Sequence, residues 1–459
     1  MAKARSEAQG SSRKRHYLAY RVLRRLLRIA TRIFFRNIEV VGLESLPNPE
    51  NSAVVFCGNH PNSLLDPVLI TAWCGRITHF AAKDVLFAVP VLGFLLKMMG
   101  AVPIRRRRDH GGGSQSNDDA FRDLTKVMLD GGAMGIFPEG ISHDESQLAP
   151  LKTGAARIAL GAARAGCTKP ISLVPVGLVY FTRNRFRSSV LIQFGPPIEV
   201  PLRDSSDTDE VSKSEVQELT SELNLQIRSL TVNAETWENI WVLDGVRRLY
   251  QPPNIDLTER ARLARVFNEG YPKVSSNADV VQLYDEVRNY LLRLSADNLD
   301  DRLVARGLGV TQIALRVVAH LSLLFVSLPL FLVGAPIFLP IGLLFKIGGV
   351  AISPRSDTVA STKFLLGFFG LTALYLGLVV WAFWTRGLWI GLVMTALIPA
   401  AGGATIHVIA RMNALRHLFL TTLRIFTLRK ELRVLREERA RLVENVQILV
   451  DKYRDSVLD

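Results

Sequence analysis

Cysteine is scarce in this chain of 459 residues: there are three, Cys57, Cys74 and Cys167, at spacings that pair none of them. That excludes a disulfide-stapled framework and a thiolate zinc site, and it suits a reducing compartment. No set of His, Cys, Asp and Glu recurs at metal-ligand spacing, so no metal cofactor is expected. The first apolar stretch is not expected to act as a cleavable secretory signal, because arginines interrupt it. Acidic residues are nearly absent from positions 1 to 36, which hold Glu7 against eleven Lys and Arg. Much of the formal net charge of +14 is therefore concentrated at this end.

From Tyr17 onward, Arg21, Arg25, Arg28, Arg32 and Arg36 recur at helical spacing, with Leu23, Leu26, Leu27, Ala30, Ile33 and Phe34 largely on the opposite face. Residues 1–36 thus read as a basic amphipathic helix suited to an anionic lipid interface. Nucleic acid also attracts such charge, but no recognition module accompanies it, and no nucleic-acid partner is expected.

Two segments carry candidate chemistry. The first is Asn59 to Pro67, NHPNSLLDP. His60 and Asp66 are six positions apart, about 240° on a regular helix, and meet only if the segment starts as a turn. Pro61, Asn62 and Ser63 supply that turn, with Asn or Ser able to cap a helix starting near Leu64. A carboxylate on the imidazole holds the tautomer that takes a proton from a hydroxyl and then stabilises the imidazolium. Taken alone, a capping Asp and a surface His are the better account of the segment; the other segments reverse that.

The second is Ile136 to Leu160, in which Phe137-Pro138-Glu139-Gly140 follows an apolar strand. Pro138 and Gly140 present Glu139 at a rigid strand end, where it could orient arginines or accept hydrogen bonds from a polyol. Lys152 and Gly154 open the next helix, whose N-terminus would add to a phosphate site. Between the two segments, a short apolar strand runs into Arg105, Arg106, Arg107 and Arg108. Arg105 and Arg106 are the candidates for an inward phosphate contact, while Arg107 and Arg108 suit a solvated loop. Val174-Pro175-Val176-Gly177 lies in a strand-like run that a core strand explains almost as well.

In this order and spacing, the four blocks resemble the glycerolipid acyltransferase superfamily, over roughly Ile38 to Val200. The resemblance implies His60 as general base, Asp66 as its orienting partner, Arg105, Arg106, Glu139 and Gly140 as a phosphate-polyol site, and Pro175 as a residue shaping the pocket. Five residues separate His60 from Asp66 where the family usually has four. The longer spacing is similar to that of enzymes acylating glycerol 3-phosphate or dihydroxyacetone phosphate. The implied activity is transfer of a fatty acyl group from acyl-CoA or acyl carrier protein to the 1-hydroxyl of glycerol 3-phosphate, with no cofactor besides the acyl carrier. Acylation of the 2-hydroxyl of lysophosphatidate is the alternative, and a non-catalytic lipid-binding scaffold a more distant one.

The expected fold is an α/β acyltransferase domain over 37–201, a mixed sheet flanked by helices. Strands are expected at Ile38–Val41, Ala53–Cys57, Ile77–Ala81, Ala133–Phe137, Ile171–Tyr180 and Val190–Phe194, and helices at Leu64–Trp73, Asp118–Leu129 and Thr153–Ala165. Val85 to Met99 reads either as a core helix or as one dipping into a monolayer. A charged helical extension, 202–310, leads to a transmembrane region, 311–411. Pro329, Pro336 and Pro340 break its first apolar stretch, which reads as a hairpin followed by two spans. That even count would keep the basic tail on the side of the catalytic domain, expected at the cytoplasmic face of the membrane. In the tail, 412–459, Leu428, Leu432, Leu435, Leu442, Val446, Leu449 and Tyr453 fall on a 4-3 repeat that Arg439 interrupts, a coiled-coil seam that would serve a homo-oligomer.

Overall fold

The computed structural model describes residues 2–105, 118–201, 212–252, 254–306 and 310–454. Contacts divide it into two units, one of Met1–Glu235, Asp256–Arg265 and Arg355–Ser361, the other of Thr236–Ile255, Val266–Pro354 and Thr362–Asp459.

The first unit is built on a mixed sheet of β1 (Asn37–Val41), β2 (Ala53–Gly58), β3 (Thr78–Lys83), β4 (Val102–Ile104), β5 (Ala133–Ile136), β6 (Ile171–Tyr180), β7 (Ser189–Phe194) and β8 (Ile198–Val200). The strand order is β1-β7-β6-β2-β5-β3-β4, with β8 beside β6. β2 pairs in parallel with β5 and β6, and β3 in parallel with β5 and β4. β7 and β8 run antiparallel to β6. All six residues of β2 are buried. Its unbroken apolar run is what a central strand with parallel neighbours requires.

Among the described residues, six α-helices accompany the sheet: α1 (Ala2–Phe34), α2 (Leu65–Trp73), α3 (Pro90–Met98), α4 (Asp118–Leu129), α5 (Gly154–Arg164) and α6 (Lys213–Leu230). Ala53, Val55 and Cys57 of β2 share a core with Leu124 and Met128 of α4, Ile158 and Ala159 of α5, and Leu223 and Ile227 of α6. The expected strands and helices occur within a residue or two of their boundaries. β8 escaped the pattern because three residues carry too little of it. The core-helix reading of Val85–Met99 does not hold. The segment splits at Val89-Pro90, Gly93 is the one buried residue of α3, and Val85, Val89, Val91 and Phe94 are exposed.

α1 is helical as expected, but its apolar side is divided. Tyr20, Leu23, Leu27 and Phe34 are buried in the unit. The Tyr20 hydroxyl accepts from the Thr78 amide at 2.9 Å, and Arg28 Nε donates to the Ala72 carbonyl at 3.0 Å. The guanidinium groups of Arg28 and Arg32 lie over the Trp73 ring. Leu18, Val22, Leu26, Ile29 and Ile33 form a second, exposed stripe, which keeps only Leu26 and Ile33 of the apolar face read from the sequence.

The second unit is helical: α7 (Trp237–Tyr250), the C-terminal half of α8 (Leu257–Val274), α9 (Ala278–Ala296), α10 (Asp301–Arg306), α11 (Val310–Ala351), most of α12 (Val359–Arg386), α13 (Leu388–Thr427) and α14 (Arg429–Lys452). α11, α12 and α13 are each long and apolar enough to cross a membrane. The expected hairpin is absent: α11 runs unbroken through Pro329, Pro336 and Pro340. Steps of seven and four residues put the three prolines on one side of a helix, where the lost amides and ring clashes coincide and the rest of the hydrogen-bond ladder continues.

The tail seam is also redirected. Leu432, Leu435, Leu442 and Val446 are buried against Val242 and Val246 of α7 and Leu283, Val287 and Leu291 of α9. Arg439, the interruption in the repeat, donates from Nε to Asp301 at 2.8 Å. The heptad pattern thus closes a core within this chain, and these positions are not free for a second copy.

Candidate active site

In the parallel part of the sheet, the loops leaving the C-terminal ends of β2 and β5 lie side by side, where open α/β sheets place their sites. Asn59 pins the first loop to β6. Its side-chain oxygen accepts from the Leu178 amide at 2.8 Å, and its nitrogen donates to the Leu178 carbonyl at 3.1 Å. The chain then turns sharply, with Ser63 in the left-handed region at φ 48°. For a residue with a Cβ this conformation costs on the order of 1 kcal/mol. The turn delivers Asp66 onto the first turn of α2 and folds it back on His60, with His60 Nδ1 2.8 Å from Asp66 Oδ2.

Asp66 is fully buried. Besides His60, its Oδ2 accepts the Asn62 amide at 2.7 Å and its Oδ1 the Tyr180 hydroxyl at 2.6 Å. Burial pushes the Tyr180 phenol well above its usual pKa, and the Asp66 charge adds to the rise, so Tyr180 remains a donor. With Nδ1–H directed at a carboxylate, the lone pair of the imidazole is on Nε2. The ring lies flat on Phe137, centroids 4.0 Å apart, and its side chain is 13% exposed. The site therefore holds an oriented, partly accessible base.

Glu139 occupies the loop after β5. It is buried, and its oxygens are taken by three donors: the His60 amide at 2.6 Å, the Ala149 amide at 2.9 Å, and His143 Nε2. The His143 amide in turn donates to the His60 carbonyl at 3.2 Å. Among the described residues no arginine reaches Glu139, so in this geometry it ties the His60 turn to the β5 loop. Gly140, at φ +78°, takes a left-handed backbone that disfavours a side chain, and a Cβ there would push aside the flexible end of the Lys152 side chain. Lys152 is exposed, and its amide donates to the Pro138 carbonyl at 2.7 Å.

Arg105 follows β4, on the same sheet edge as His60 but three strands away, about 14 Å at some 4.8 Å per strand. It is exposed, with Nε 4.0 Å from Asp84 Oδ2. Arg106 lies outside the described residues. Pro175 lies inside β6 in register with Cys57. It stands where the neighbour of β6 changes from β8 to β7, a gap that tolerates a missing amide, and its carbonyl accepts the Gly195 amide at 2.8 Å. The structure thus joins His60, Asp66 and Glu139 directly, sets Gly140 beside Lys152, and leaves Arg105 and Pro175 without contact to His60.

Sequence reasoning missed Tyr180, His143 and Phe137. Only the Phe137 position, next to the Pro-Glu-Gly corner, carried a local signal. The hydrogen bond to Glu139 raises the pKa of His143, against the opposing effect of burial, with Glu145 adding to the rise and Arg183 subtracting. A raised folded value means that the protonated form stabilises the fold below the ordinary His value of 6.5, and that this contribution is lost as pH climbs through the raised value. His143→Gln is therefore expected to lower the apparent melting temperature most at acidic pH. Melting curves of both proteins from pH 5 to 9 should converge toward the alkaline end.

Residues 37–179 match the acyltransferase family, and residues 242–457 match the glycerol-3-phosphate acyltransferase 2 C-terminal domain. Glycerol-3-phosphate O-acyltransferase 2 of Saccharomyces cerevisiae is 32% identical over 50% of this chain and 32% of its own length. Glycerol-3-phosphate O-acyltransferase 1 of the same yeast is 30% identical over 45% of this chain and 28% of its own. A chloroplastic 1-acyl-sn-glycerol-3-phosphate acyltransferase of Brassica napus is 31% identical over 32% of this chain and 39% of its own. The chain thus spans about a third of the length of the yeast relatives it matches. Its oriented His60–Asp66 pair falls inside the first matched region and its membrane-length helices inside the second, so the chain carries an acyltransferase domain followed by a region similar to the glycerol-3-phosphate acyltransferase 2 C-terminal domain.

Proposed function

We propose that this protein transfers a fatty acyl group from a thioester carrier, coenzyme A or acyl carrier protein, to the 1-hydroxyl of glycerol 3-phosphate, with dihydroxyacetone phosphate as a second acceptor. The observation that carries the reading is the His60–Asp66 contact at 2.8 Å with Nε2 left to face the acceptor. Nε2 takes the proton of the hydroxyl as its oxygen attacks the thioester carbonyl carbon. The tetrahedral adduct collapses by breaking the carbon–sulfur bond, and the imidazolium returns the proton to the departing thiolate. Asp66 stabilises the imidazolium between these steps. Gly140 and Lys152, beside the turn, and Arg105, at the end of β4, with Arg106 next to it in sequence, form the phosphate side, while Pro175 keeps β6 in register beside the loop. No cofactor enters this scheme.

The membrane-length helices would hold the protein at the bilayer that takes up the lipid product. The basic N-terminal segment supports a cytoplasmic face for the catalytic unit, where both carriers are found. Acylation of the 2-hydroxyl of lysophosphatidate is the second reading, favoured by the Brassica napus relative. Purified protein in detergent, offered labelled glycerol 3-phosphate, dihydroxyacetone phosphate and lysophosphatidate in turn with each carrier, decides between them. Product from lysophosphatidate alone would overturn the first reading.

Phosphate recognition and membrane attraction both draw on arginine here, and they separate experimentally. Arg105→Ala is expected to raise the KM for the phosphorylated acceptor by about tenfold, the worth of one charge-assisted hydrogen bond, with kcat and sedimentation with membranes unchanged. Unaltered KM would remove Arg105 from the phosphate site.

A further inference from the structure

α2 carries Asp66 in its first turn, yet its N-cap residue, Leu64, offers no side-chain acceptor to the orphan amides. Asn62 and Ser63, whose types suit that task, do not perform it. The amide of Leu65, which donates to the Asn62 carbonyl at 3.1 Å, donates also to the hydroxyl of Ser361 at 2.9 Å, 296 residues away in sequence. The same hydroxyl donates to the Asn62 carbonyl at 2.5 Å. Ser361 is buried, and it therefore bridges the two ends of the strained turn that separates His60 from Asp66.

The same short stretch reaches the other flank of His60. Ser142, next to His143, donates from its hydroxyl to Asp357 Oδ2 at 2.6 Å. Arg355 Nη2 donates to the Ser142 carbonyl at 3.0 Å and to its hydroxyl at 2.9 Å, while its Nε donates to Asp357 Oδ1 at 2.9 Å. His143 then holds the His60 carbonyl through its amide. Arg355–Ser361 joins α11 to α12 in sequence, yet it packs with the acyltransferase unit.

We infer that Arg355–Ser361 is a positioning brace for the catalytic turn, with Ser361 closing the loop between His60 and Asp66. The inference rests on the acyl-transfer reading above and adds to it that residues of the C-terminal region complete the geometry of the base. A turn holding a non-glycine residue in the left-handed region persists only where its surroundings over-determine it. Ser361 supplies two of the bonds that do so.

The test uses the full chain in detergent, with wild type, His60→Ala, Ser361→Ala, Ser361→Thr and Arg355→Gln assayed together. Ser361→Ala is expected to lose on the order of ten- to a hundredfold in kcat, the effect of a base displaced by a fraction of an ångström to an ångström. KM for either substrate should stay within about twofold, because no binding contact is removed. Ser361→Thr, which keeps the hydroxyl, should recover most of the rate. Wild-type kcat in Ser361→Ala, equal losses in the Ala and Thr variants, or a loss confined to KM would each overturn the brace. Should Ser361→Ala not accumulate, Arg355→Gln takes its place: several-fold slower turnover supports the brace, and wild-type kcat overturns it. If wild type forms no product, the acyl-transfer reading fails by itself. The brace is then judged by hydrogen exchange over residues 60–66, where faster exchange in the variant supports it and unchanged exchange overturns it.

Discussion

His60→Ala is expected to lose turnover by on the order of 10²-fold or more while the protein stays folded, because under the proposed mechanism the substitution deletes the proton acceptor and little else. The imidazole is not a core side chain: its principal apolar contact is the face of Phe137. Asp66, left behind, keeps the Asn62 amide and the Tyr180 hydroxyl as donors, so no buried carboxylate is stranded. Initial rates with labelled glycerol 3-phosphate, alongside a melting curve, make the comparison. Wild-type turnover in a correctly folded variant would remove His60 from the mechanism.

Asp66→Asn is the sharper test, since it changes charge with almost no change of shape. Oδ2 accepts two donors, His60 Nδ1 and the Asn62 amide, whereas Oδ1 faces one hydroxyl. An asparagine can therefore keep its oxygen toward His60 and turn its amide nitrogen to Tyr180, whose hydroxyl rotates to accept. The fold survives this exchange, but the imidazolium loses its counter-charge. Turnover is expected to fall on the order of 10²-fold or more with the acceptor KM little altered. A change confined to KM would assign Asp66 to substrate binding instead.

The sequence by itself determined the elements and the local chemistry. Period-two and unbroken apolar runs placed the strands, and helical spacing placed α1 and α14, because these patterns record which side of an element is buried. The approach of His60 to Asp66 was legible for a related reason: six residues around a Pro-Asn-Ser turn leave few ways for the two side chains to meet. What the patterns did not record is the identity of the neighbour. The apolar side of α1 was read as facing lipid, yet Tyr20, Leu23 and Leu27 are buried in the first unit. The α14 seam was read as facing a second copy, yet it meets α7 and α9.

The prolines of α11 marked lost hydrogen bonds but not whether the helix would end, since that depends on which side of the helix they share. Tertiary structure alone decided the second layer of the site. Tyr180 on Asp66, His143 on Glu139 and Ser361 on the turn join residues through hydrogen bonds of single polar atoms. One hydroxyl leaves no periodicity in a sequence. Its partner is set by where the sheet edge and the Arg355–Ser361 segment come together, a meeting between segments far apart in the chain.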